Sequence, residues 1–381
     1  MKTSTDRILT THVGSLPRSQ DVVDMIFAED REEKVDPTQF DSTIRNAVGE
    51  VLRLQKDSGV DIPSDGEQSK ISYATYIKHR LTGFEGDSPR PTPQDLEDFP
   101  DYRDKLVKEG HSATYKRPVC KGEIKVKSME PVRADIDRMK DQLAKTGYDE
   151  GFINSASPGT IAVFQPNEYY KSHEAYMQAV AEGMRAEYEE IVNSGLLVQL
   201  DCPDLAMGRH SRFKDMTEEE FLRAAEIQVE AINHGLQNVP ADRVRMHVCW
   251  GNYEGPHVHD IAIEKILPIV LKAKPKFLLM ENANPRHGAD WATWKTIKLP
   301  DDKVLVPGVV ETTTNFVEHP KLVAQRLVRI ANIVGKERVI AGSDCGFGTF
   351  AGYGPVVGSV CWMKLKSMAE GARMASEELW S

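Results

Sequence analysis

The pattern that most constrains this chain is a regular alternation of short apolar segments with longer amphipathic ones. Eight segments rich in β-branched residues are typical of strands: residues 7–15, 60–67, 152–159, 196–203, 243–250, 276–282, 304–311 and 338–345. Patterns typical of helices occur between them, for example at residues 40–57, 168–193, 216–236, 258–272 and 318–335. Strands that alternate with helices usually pair in parallel, and eight such units close naturally into a barrel.

We therefore predict an α/β fold, a single (β/α)8 TIM barrel that spans residues 1–381. The length of the chain alone would also allow two domains. An open doubly wound sheet is the alternative fold, but no Gly-x-Gly-x-x-Gly sequence follows the first predicted strand. The helix near residue 216 is expected to begin at a capping box, because Thr217 is followed by three glutamates.

One stretch between the second and third predicted strands interrupts the alternation. Residues 83–118 are rich in proline, glycine and charge, and residues 119–127 alternate like a β-ribbon. We predict that residues 83–127 form an insertion that lies over the mouth of the barrel. Long insertions in compact domains often act as lids or binding loops. An inert surface loop is the alternative interpretation.

The charge balance and the cysteine content narrow the class of protein. The formal net charge is −10, which argues against a nucleic acid or an anionic membrane as the main partner. Neither a membrane-spanning apolar run nor a secretory signal is recognisable. The five cysteines are odd in number and lack the spacing of a disulfide framework. We expect a cytoplasmic protein whose cysteines are reactive or bind a metal.

Polar residues occur at the ends of all eight predicted strands. Chemistry in such barrels takes place at the carboxyl ends of the strands, and unpaired polar groups are costly to bury. These ends are, in order, His12–Ser15, Asp65–Glu67, Ser155–Gly159, Asp201–Asp204, His247–Asn252, Glu281–Asn282, Glu311–Thr313 and Asp344–Gly346. The sequence therefore predicts a site where these ends meet.

Three of these residues suggest a metal centre. His247 and Cys249 are two positions apart on one strand and so face the same side of the sheet. Cys345 stands at the end of the last strand, where it would complete a set of three ligands with one open position, as in catalytic zinc sites. Glu281 is either a further ligand or a residue that orients His247. Taken singly, each cysteine would more often be a small buried apolar residue.

With these residues the sequence resembles a known family, the cobalamin-independent methionine synthases. The resemblance is to the short type II branch of the family, which has only the catalytic C-terminal barrel. The epoxyalkane:coenzyme M transferases are related. The resemblance rests on the His-x-Cys pair, Glu281 and Cys345, on the run Thr11–Pro17, on Gly66-Glu67 and on Gln199–Pro203. It implies a zinc-dependent methyltransferase of methionine biosynthesis. It also implies that Gly14 and Ser15 bind the thiol substrate, and that Glu67 and Asp201 hold the amino group of homocysteine.

The chain also departs from the family pattern. We expect it to begin at the catalytic barrel, without the second barrel that helps to bind polyglutamyl folate in the full-length synthase. The family has a catalytic histidine in a Val-Asp-x-His-Ser context, where this chain has Val310–Thr314. The general acid would then come from elsewhere, with His12, His257 and His259 as candidates. Glu311 and Asn252 are further catalytic candidates at strand ends.

The predicted reaction is transfer of a methyl or other alkyl group to a substrate thiol that zinc activates as the thiolate. A free thiol with a pKa near 8.5 is mostly protonated at neutral pH, and zinc coordination removes that proton. A homocysteine-like thiol is favoured, because Glu67 and Asp201 suit an ammonium group. The alternatives are another small thiol such as coenzyme M, a zinc hydrolase, or a subunit that is inactive without a donor-delivering partner. A methylfolate is one candidate for the alkyl donor, and a homo-oligomer is one candidate for the assembly of the chain.

Overall fold

The computed structural model describes residues 1–108 and 115–381. The strands in these ranges are Phe84–Glu85 (β1), Val119–Cys120 (β2), Phe152–Ala156 (β3), Leu197–Asp201 (β4), Val244–Val248 (β5), Phe277–Met280 (β6), Val304–Val310 (β7) and Gly342–Ser343 (β8). The α-helices are Gln20–Asp30 (α1), Pro37–Asp57 (α2), Gln94–Asp98 (α3), Pro100–Lys108 (α4), Glu130–Thr146 (α5), Pro158–Phe164 (α6), His173–Asn193 (α7), Glu218–Gly235 (α8), Ile263–Val270 (α9), Pro320–Val334 (α10) and Gly358–Leu379 (α11). Short 3-10 helices lie at Thr75–His79, Pro203–Leu205, Met207–His210, Ala241–Arg243, Asp290–Lys295 and Lys336–Arg338.

Six of the strands form one parallel sheet in the order β3-β4-β5-β6-β7-β8. Each strand neighbours the next along the chain, and helices lie in the connections. This sheet confirms the α/β class and the parallel pairing predicted for the third to eighth segments. The last of these is the shortest, because regular pairing begins only at Gly342.

The first two predicted strands differ from expectation, because residues 7–15 and 60–67 form single bridges instead of regular strands. The bridges are parallel and join Thr10 to Ala341, Thr11 to Ile62, and Ser64 to Phe152. Side chains replace the missing ladder bonds. Asp61 Oδ2 accepts from the Thr10 amide at 2.9 Å, and Ser343 Oγ accepts from the Val13 amide at 3.1 Å. The two segments therefore lie between β8 and β3, held by a few backbone hydrogen bonds and by these side-chain hydrogen bonds.

A small apolar cluster fills the space inside the curled sheet. Its members come from the two bridge-forming segments and from five strand regions: Leu9, Val13, Ile62, Phe152, Leu197, Phe277, Leu279, Val304, Val306 and Ile340. β5 contributes Arg245 instead, which is fully buried with its guanidinium 3.6 Å from the centre of the Phe152 ring. Arg245 donates to Thr11 Oγ1 at 2.8 Å and to the His12 carbonyl at 2.7 Å. This residue therefore links β5 to the first segment across the interior.

The five helices named from the sequence are present with slightly shorter or shifted bounds. The capping box of α8 is confirmed: Thr217 Oγ1 accepts from the Glu220 amide at 3.2 Å, and Glu220 Oε2 accepts from the Thr217 amide at 2.8 Å. α2 begins three residues earlier than predicted, because Asp36 caps its first turn and Pro37 occupies the first position. Among the described residues, no helix combines the length and the apolarity needed to cross a membrane.

The predicted insertion has helical and ribbon parts. β1 pairs antiparallel with β2, so the ribbon joins the two ends of the insertion instead of lying within residues 119–127. α3 and α4 lie between them. Asp95, in α3, accepts from the Tyr253 hydroxyl at 2.9 Å and from the Val258 amide at 3.1 Å. Asp98 lies 2.6 Å from His259 Nε2. Residues 109–114 of the predicted insertion lie outside the described residues.

Gly14 provides a test of how the first segment packs against β3. Its φ is +144°, and a Cβ atom there would lie 2.1 Å from Asn154 Oδ1. Asn154 cannot retreat freely, because its amide nitrogen donates to the Val13 carbonyl at 2.9 Å and to Asp201. Gly195 is a matched control, since its φ is +95° but no atom of the described residues would lie within 4 Å of a Cβ added there.

We expect Gly195→Ala to lower the free energy of unfolding by roughly 1 kcal/mol, the usual cost of a side chain in the left-handed region. Gly14→Ala should cost about 1–3 kcal/mol more, because the added methyl group also overpacks the interior. Urea unfolding followed by circular dichroism measures both losses. Equal losses in the two variants would contradict the packing described for Gly14.

Candidate metal centre and substrate cavity

The carboxyl ends of the strands and bridge-forming segments surround one narrow cavity. Most of the residues proposed from the sequence for metal or substrate binding line it. The lining consists of Val13, Ser15, Glu67, Tyr73, Asp201, Pro203, Met207, His247, Cys249, Gly251, Asn252, Cys345, Gly346 and Thr349. Five of the eight predicted polar strand ends therefore contribute to this cavity, whereas the ends at residues 155–159, 281–282 and 311–313 do not line it.

The three predicted metal ligands lie together on one wall of this cavity. One donor atom each from His247, Cys249 and Cys345 can be chosen so that all three lie within 4.8 Å of one another. His247 Nε2 is 3.2 Å from Cys345 Sγ. Both cysteines are free thiols. Glu281 Oε1 lies 3.6 Å from Cys345 Sγ, so the fourth predicted residue adjoins the set.

Burial disfavours the charged forms of these groups, so thiolates or a carboxylate here would need a nearby cation. It lowers the pKa of His247 to about 4, so the imidazole stays neutral and keeps a nitrogen lone pair. Burial, together with the neighbouring Cys249 thiol, raises the pKa of Cys345 well above its usual value. Burial and the same thiol also raise the pKa of Glu281. One imidazole and two thiols that converge in this way form a donor set suited to zinc, which would stabilise the thiolates.

Two carboxylates occupy another part of the cavity wall. Asp201 accepts hydrogen bonds from Asn154 Nδ2 at 3.0 Å and from Gln199 Nε2 at 3.0 Å. Glu67 Oε2 is buried without a hydrogen-bond partner among the described residues. Burial, followed by the Asp201 charge, raises the pKa of Glu67 to about 8. Within residues 1–108 and 115–381, no lysine or arginine forms an ion pair with either carboxylate, so the pair can receive a cationic ligand.

The nearest basic side chains bind the backbone. Arg18 Nη2 donates to the Glu67 carbonyl at 2.7 Å, and Lys70 Nζ donates to the Asn154 carbonyl. Glu67 itself has a φ of +56°, an unusual conformation for a residue other than glycine. The Arg18 contact supports this strained turn and leaves the carboxylate of Glu67 directed at the cavity.

Ser15 is held at the cavity by the loop that follows β8. A Cβ atom on Gly346 would lie 1.9 Å from Ser15 Oγ, so this close approach requires glycine. The Phe347 amide donates to the Ser15 carbonyl at 2.8 Å, and the Leu16 amide donates to the Gly66 carbonyl at 3.1 Å. Cys345, Ser15 and Glu67 are thereby fixed relative to one another through the backbone.

Four of the catalytic candidates, His12, His257, His259 and Glu311, lie outside the cavity lining. His12 is fully buried, with Nε2 2.7 Å from Gln55 Oε1 and Nδ1 accepting from the Gly14 amide at 3.1 Å. Burial lowers the pKa of His12 to about 4. Glu311 accepts from Lys364 Nζ at 2.6 Å and from the Thr313 and Thr314 amides. Burial opposes ionisation of Glu311, but the hydrogen bonds from Lys364, Thr314 and Thr313 and the charge of Lys364 together outweigh it and leave the pKa lowered.

Asn252 lines the cavity, but its side chain is engaged with the protein. Its amide nitrogen donates to the Gly346 carbonyl at 2.8 Å and to Thr349 Oγ1 at 2.7 Å. Its oxygen accepts from Thr312 Oγ1 at 2.8 Å. Asn252 therefore connects the loops that follow β5, β7 and β8.

Three further lining residues, Tyr73, Met207 and Thr349, were not among the residues predicted for the site. Tyr73 packs edge-on against Phe164, with the ring centres 5.3 Å apart. All three lie in loops or in a single 3-10 turn, where no periodic pattern marks a residue as facing a cavity. A group of histidines and aspartates beyond Glu281 also went unrecognised as a cluster, since its members come from separate loops.

Two relatives are similar in sequence to nearly the whole of this chain. Methionine synthase of Saccharolobus solfataricus is 26% identical over 376 residues, which cover 97% of this chain and 95% of that protein. Methionine synthase of Sulfurisphaera tokodaii is 24% identical over 374 residues, with coverage of 97% and 93%.

Solved structures share the fold. A B12-independent methionine synthase from Shewanella sp. W3-18-1, in complex with selenomethionine, superposes with a TM-score of 0.76 at 18% identity and covers 98% of this chain and 99% of that one. A putative vitamin-B12 independent methionine synthase from Listeria monocytogenes gives a TM-score of 0.66 at 16% identity, with the same coverage.

The sequence also matches a family as a whole. Residues 8–356 match the family described as cobalamin-independent synthase, catalytic domain. This range spans most of the chain, and the match confirms the resemblance found in the sequence. The chain belongs to the family of cobalamin-independent synthase catalytic domains.

Proposed function

We propose that this protein transfers a methyl group to the thiol of homocysteine, as the names of its relatives suggest. One observation carries the proposal. The cavity combines a sulfur- and nitrogen-rich metal-binding wall at His247, Cys249 and Cys345 with two carboxylates, Glu67 and Asp201, that lack basic partners among the described residues. An amino-acid thiol has groups that suit both features.

In this proposal His247, Cys249 and Cys345 hold a zinc ion, and Glu281 is a further ligand. Bound zinc keeps a substrate thiol in its nucleophilic thiolate form. Glu67 and Asp201 bind the ammonium group through charge-assisted hydrogen bonds. Ser15 donates a hydrogen bond to the polar tail, and Tyr73 with Met207 excludes water. Asn252 acts as a positioning residue, because its polar groups hold three loops of the site together.

The same charges argue against a sulfonate thiol such as coenzyme M. Two carboxylates would repel a sulfonate, and the described lining of the cavity includes no lysine or arginine to attract it. A hydrolytic zinc site is disfavoured by two cysteine ligands, since hydrolytic zinc usually has histidine and carboxylate ligands.

The direct test is product formation. Zinc-loaded protein is incubated with homocysteine and a panel of methyl donors that includes methylfolate, and the products are identified by mass spectrometry. We expect methionine with at least one donor. Methylation of a different thiol, with homocysteine left unchanged, would contradict the proposal. Hydrolysis of the donor without transfer to sulfur would contradict it as well.

We also propose that the chain forms one domain, an eight-stranded barrel that the two bridge-forming segments close. The three parallel bridges between β8 and β3 support this closure. The contacts of Asp95 and Asp98 with residues 253–259, in the loop that follows β5, support a position of the insertion 83–127 over the mouth.

Replacement of either cysteine should remove one bound metal. In Cys249→Ser or Cys345→Ser we expect the zinc content to fall by about one ion per chain and methyl transfer to be lost, because a hydroxyl is a poor substitute for a thiolate ligand. Cys120→Ser is the matched control, since Cys120 is buried away from the cavity. Zinc is counted by plasma mass spectrometry after dialysis. An unchanged zinc content in both cavity variants would exclude this ligand set.

Glu67→Gln should weaken binding of the amino-acid thiol selectively. A charge-assisted hydrogen bond is worth roughly 1.5–3 kcal/mol, so the Kd of homocysteine should rise about tenfold or more. The Kd of 4-mercaptobutanoate, which lacks the amino group, should change little. Isothermal titration calorimetry compares the two thiols at equal zinc content. Equal losses for both thiols would mean that Glu67 has a structural role.

Substrate binding should protect the insertion if it covers the mouth. We expect saturating homocysteine to slow proteolytic cleavage within residues 83–108, because a filled cavity favours the closed contacts of Asp95 and Asp98. Cleavage sites are mapped by mass spectrometry of the fragments. Bound homocysteine, verified by calorimetry, without any change in the cleavage rate would support the inert-loop interpretation.

A further inference from the structure

A second group of metal-binding side chains converges on the carboxylate of Asp260. His257 Nδ1 and His287 Nε2 each lie 2.9 Å from Asp260 Oδ2. One donor atom from each of the three residues falls within 4.8 Å of the others. His257 and Asp260 belong to the loop that follows β5, and His287 to the loop that follows β6. The group therefore lies at the same edge of the sheet as the proposed zinc site.

The outer nitrogen of each imidazole already has an acceptor. His287 Nδ1 is 2.8 Å from Asp290 Oδ2, and His257 Nε2 is 3.1 Å from the Tyr253 carbonyl. These contacts place a proton on each outer nitrogen. The other two nitrogens, His257 Nδ1 and His287 Nε2, face Asp260 Oδ2. Each of them presents either a second proton or a lone pair to that oxygen. A histidine whose far nitrogen donates to a carboxylate or a carbonyl is the usual arrangement of a metal ligand.

Buried atoms without partners distinguish a metal site from a hydrogen-bonded pair of imidazolium ions. Within the described part of the chain, Asp260 Oδ1 makes no hydrogen bond, although the Asp260 side chain is only 2% exposed. Its neighbour there is His210 Nε2 at 3.4 Å, a nitrogen that also lies 2.9 Å from the Trp250 carbonyl. His210 Nδ1 is buried and unpartnered in the same sense. A second compact group consists of Asp95, His210 and Asp260. Protonating the nitrogens of His257 and His287 that face Asp260 would still leave Asp260 Oδ1 without a hydrogen bond, whereas a cation beside Asp260 could bind this oxygen.

Glu281 lies between the two groups. Its Oε1 is 3.6 Å from Cys345 Sγ, and its Oε2 is 4.0 Å from His287 Nε2. A cavity of about 410 Å³ opens beside both and is lined by His257, Glu281 and Asn252, among others. Asn252 also lines the substrate cavity. The second group therefore adjoins a space large enough for a second small molecule.

We propose that His257, Asp260 and His287 bind a second divalent transition-metal ion, separate from the one at His247, Cys249 and Cys345. The donors are two imidazoles and a carboxylate, a borderline set that suits Zn²⁺ or Fe²⁺. His210 and Asp95 are close enough to Asp260 to complete the site. The bound ion presents a positive charge to the neighbouring cavity, where it can hold an anionic group of the methyl donor.

The test counts zinc in a variant without the first site. In the double variant Cys249→Ser, Cys345→Ser, loaded with Zn²⁺ and dialysed, we expect about one zinc to remain per chain. Adding Asp260→Asn, which keeps the size of the side chain, should remove that zinc. Adding His259→Ala instead should not, because His259 pairs with Asp98 outside the cluster. Circular dichroism verifies that every variant is folded.

Two results would overturn the proposal. One is a folded double variant that keeps no zinc, which would leave the group as a hydrogen-bonded network. The other is a double variant whose remaining zinc persists after Asp260→Asn, which would assign the ion to different ligands. If the triple variant with Asp260→Asn does not fold, His287→Asn in the same background replaces it, with the same expected loss of zinc.

Discussion

Parallel pairing of β3 to β8 is the constraint on which the rest of the structure depends. It turns the carboxyl ends of all six strands to one edge, and the register fixes the heights of the side chains there. Asp201 is paired with His247, and His247 with Leu279, so the substrate and metal walls stand side by side. The single bridges at Thr11 and Ser64 bring the first two segments, with Ser15 and Glu67, to the same edge.

This edge concentrates buried acidic groups and thiols. Glu67, Asp201, Glu281, Cys249 and Cys345 face or adjoin one cavity, and burial raises the pKa values of Glu67, Glu281 and Cys345. Such an arrangement is costly unless cations complete it. In the proposed function a metal ion stabilises the sulfur-rich wall, and the ammonium group of the substrate neutralises the carboxylate wall. The electrostatics of the cavity thus agree with a ligand that carries both a thiol and a positive charge.

The cavity residues that could be predicted from the sequence are those that follow from strand periodicity and from the positions of the strand ends. The His-x-Cys spacing on β5 and the polar ends of the strands identified the cavity residues, because both follow from strand geometry. The first two strands were predicted as regular, but side chains such as Asp61 and Ser343 take up their backbone groups. Only the fold reveals such replacements, since the partners are distant in sequence.

The roles of Glu311 and the Asp260 cluster were equally inaccessible to sequence patterns. Glu311 stands at a strand end like the other site residues, yet Lys364 on α11 engages its carboxylate. Asp260 and His287 lie in irregular loops, where no repeat predicts which side chains converge. Loop residues of this kind are located by tertiary packing, and a single sequence carries little information about it.

The most direct test of the central claim is X-ray absorption at the selenium edge of selenohomocysteine bound to the zinc-loaded protein. The account predicts a zinc neighbour of selenium in the wild-type protein and its loss in Cys345→Ser. Calorimetry verifies that the ligand is bound in each sample. Bound selenohomocysteine whose selenium has only light-atom neighbours in the wild-type protein would contradict the claim that the metal centre and the carboxylate pair form one thiol-binding site.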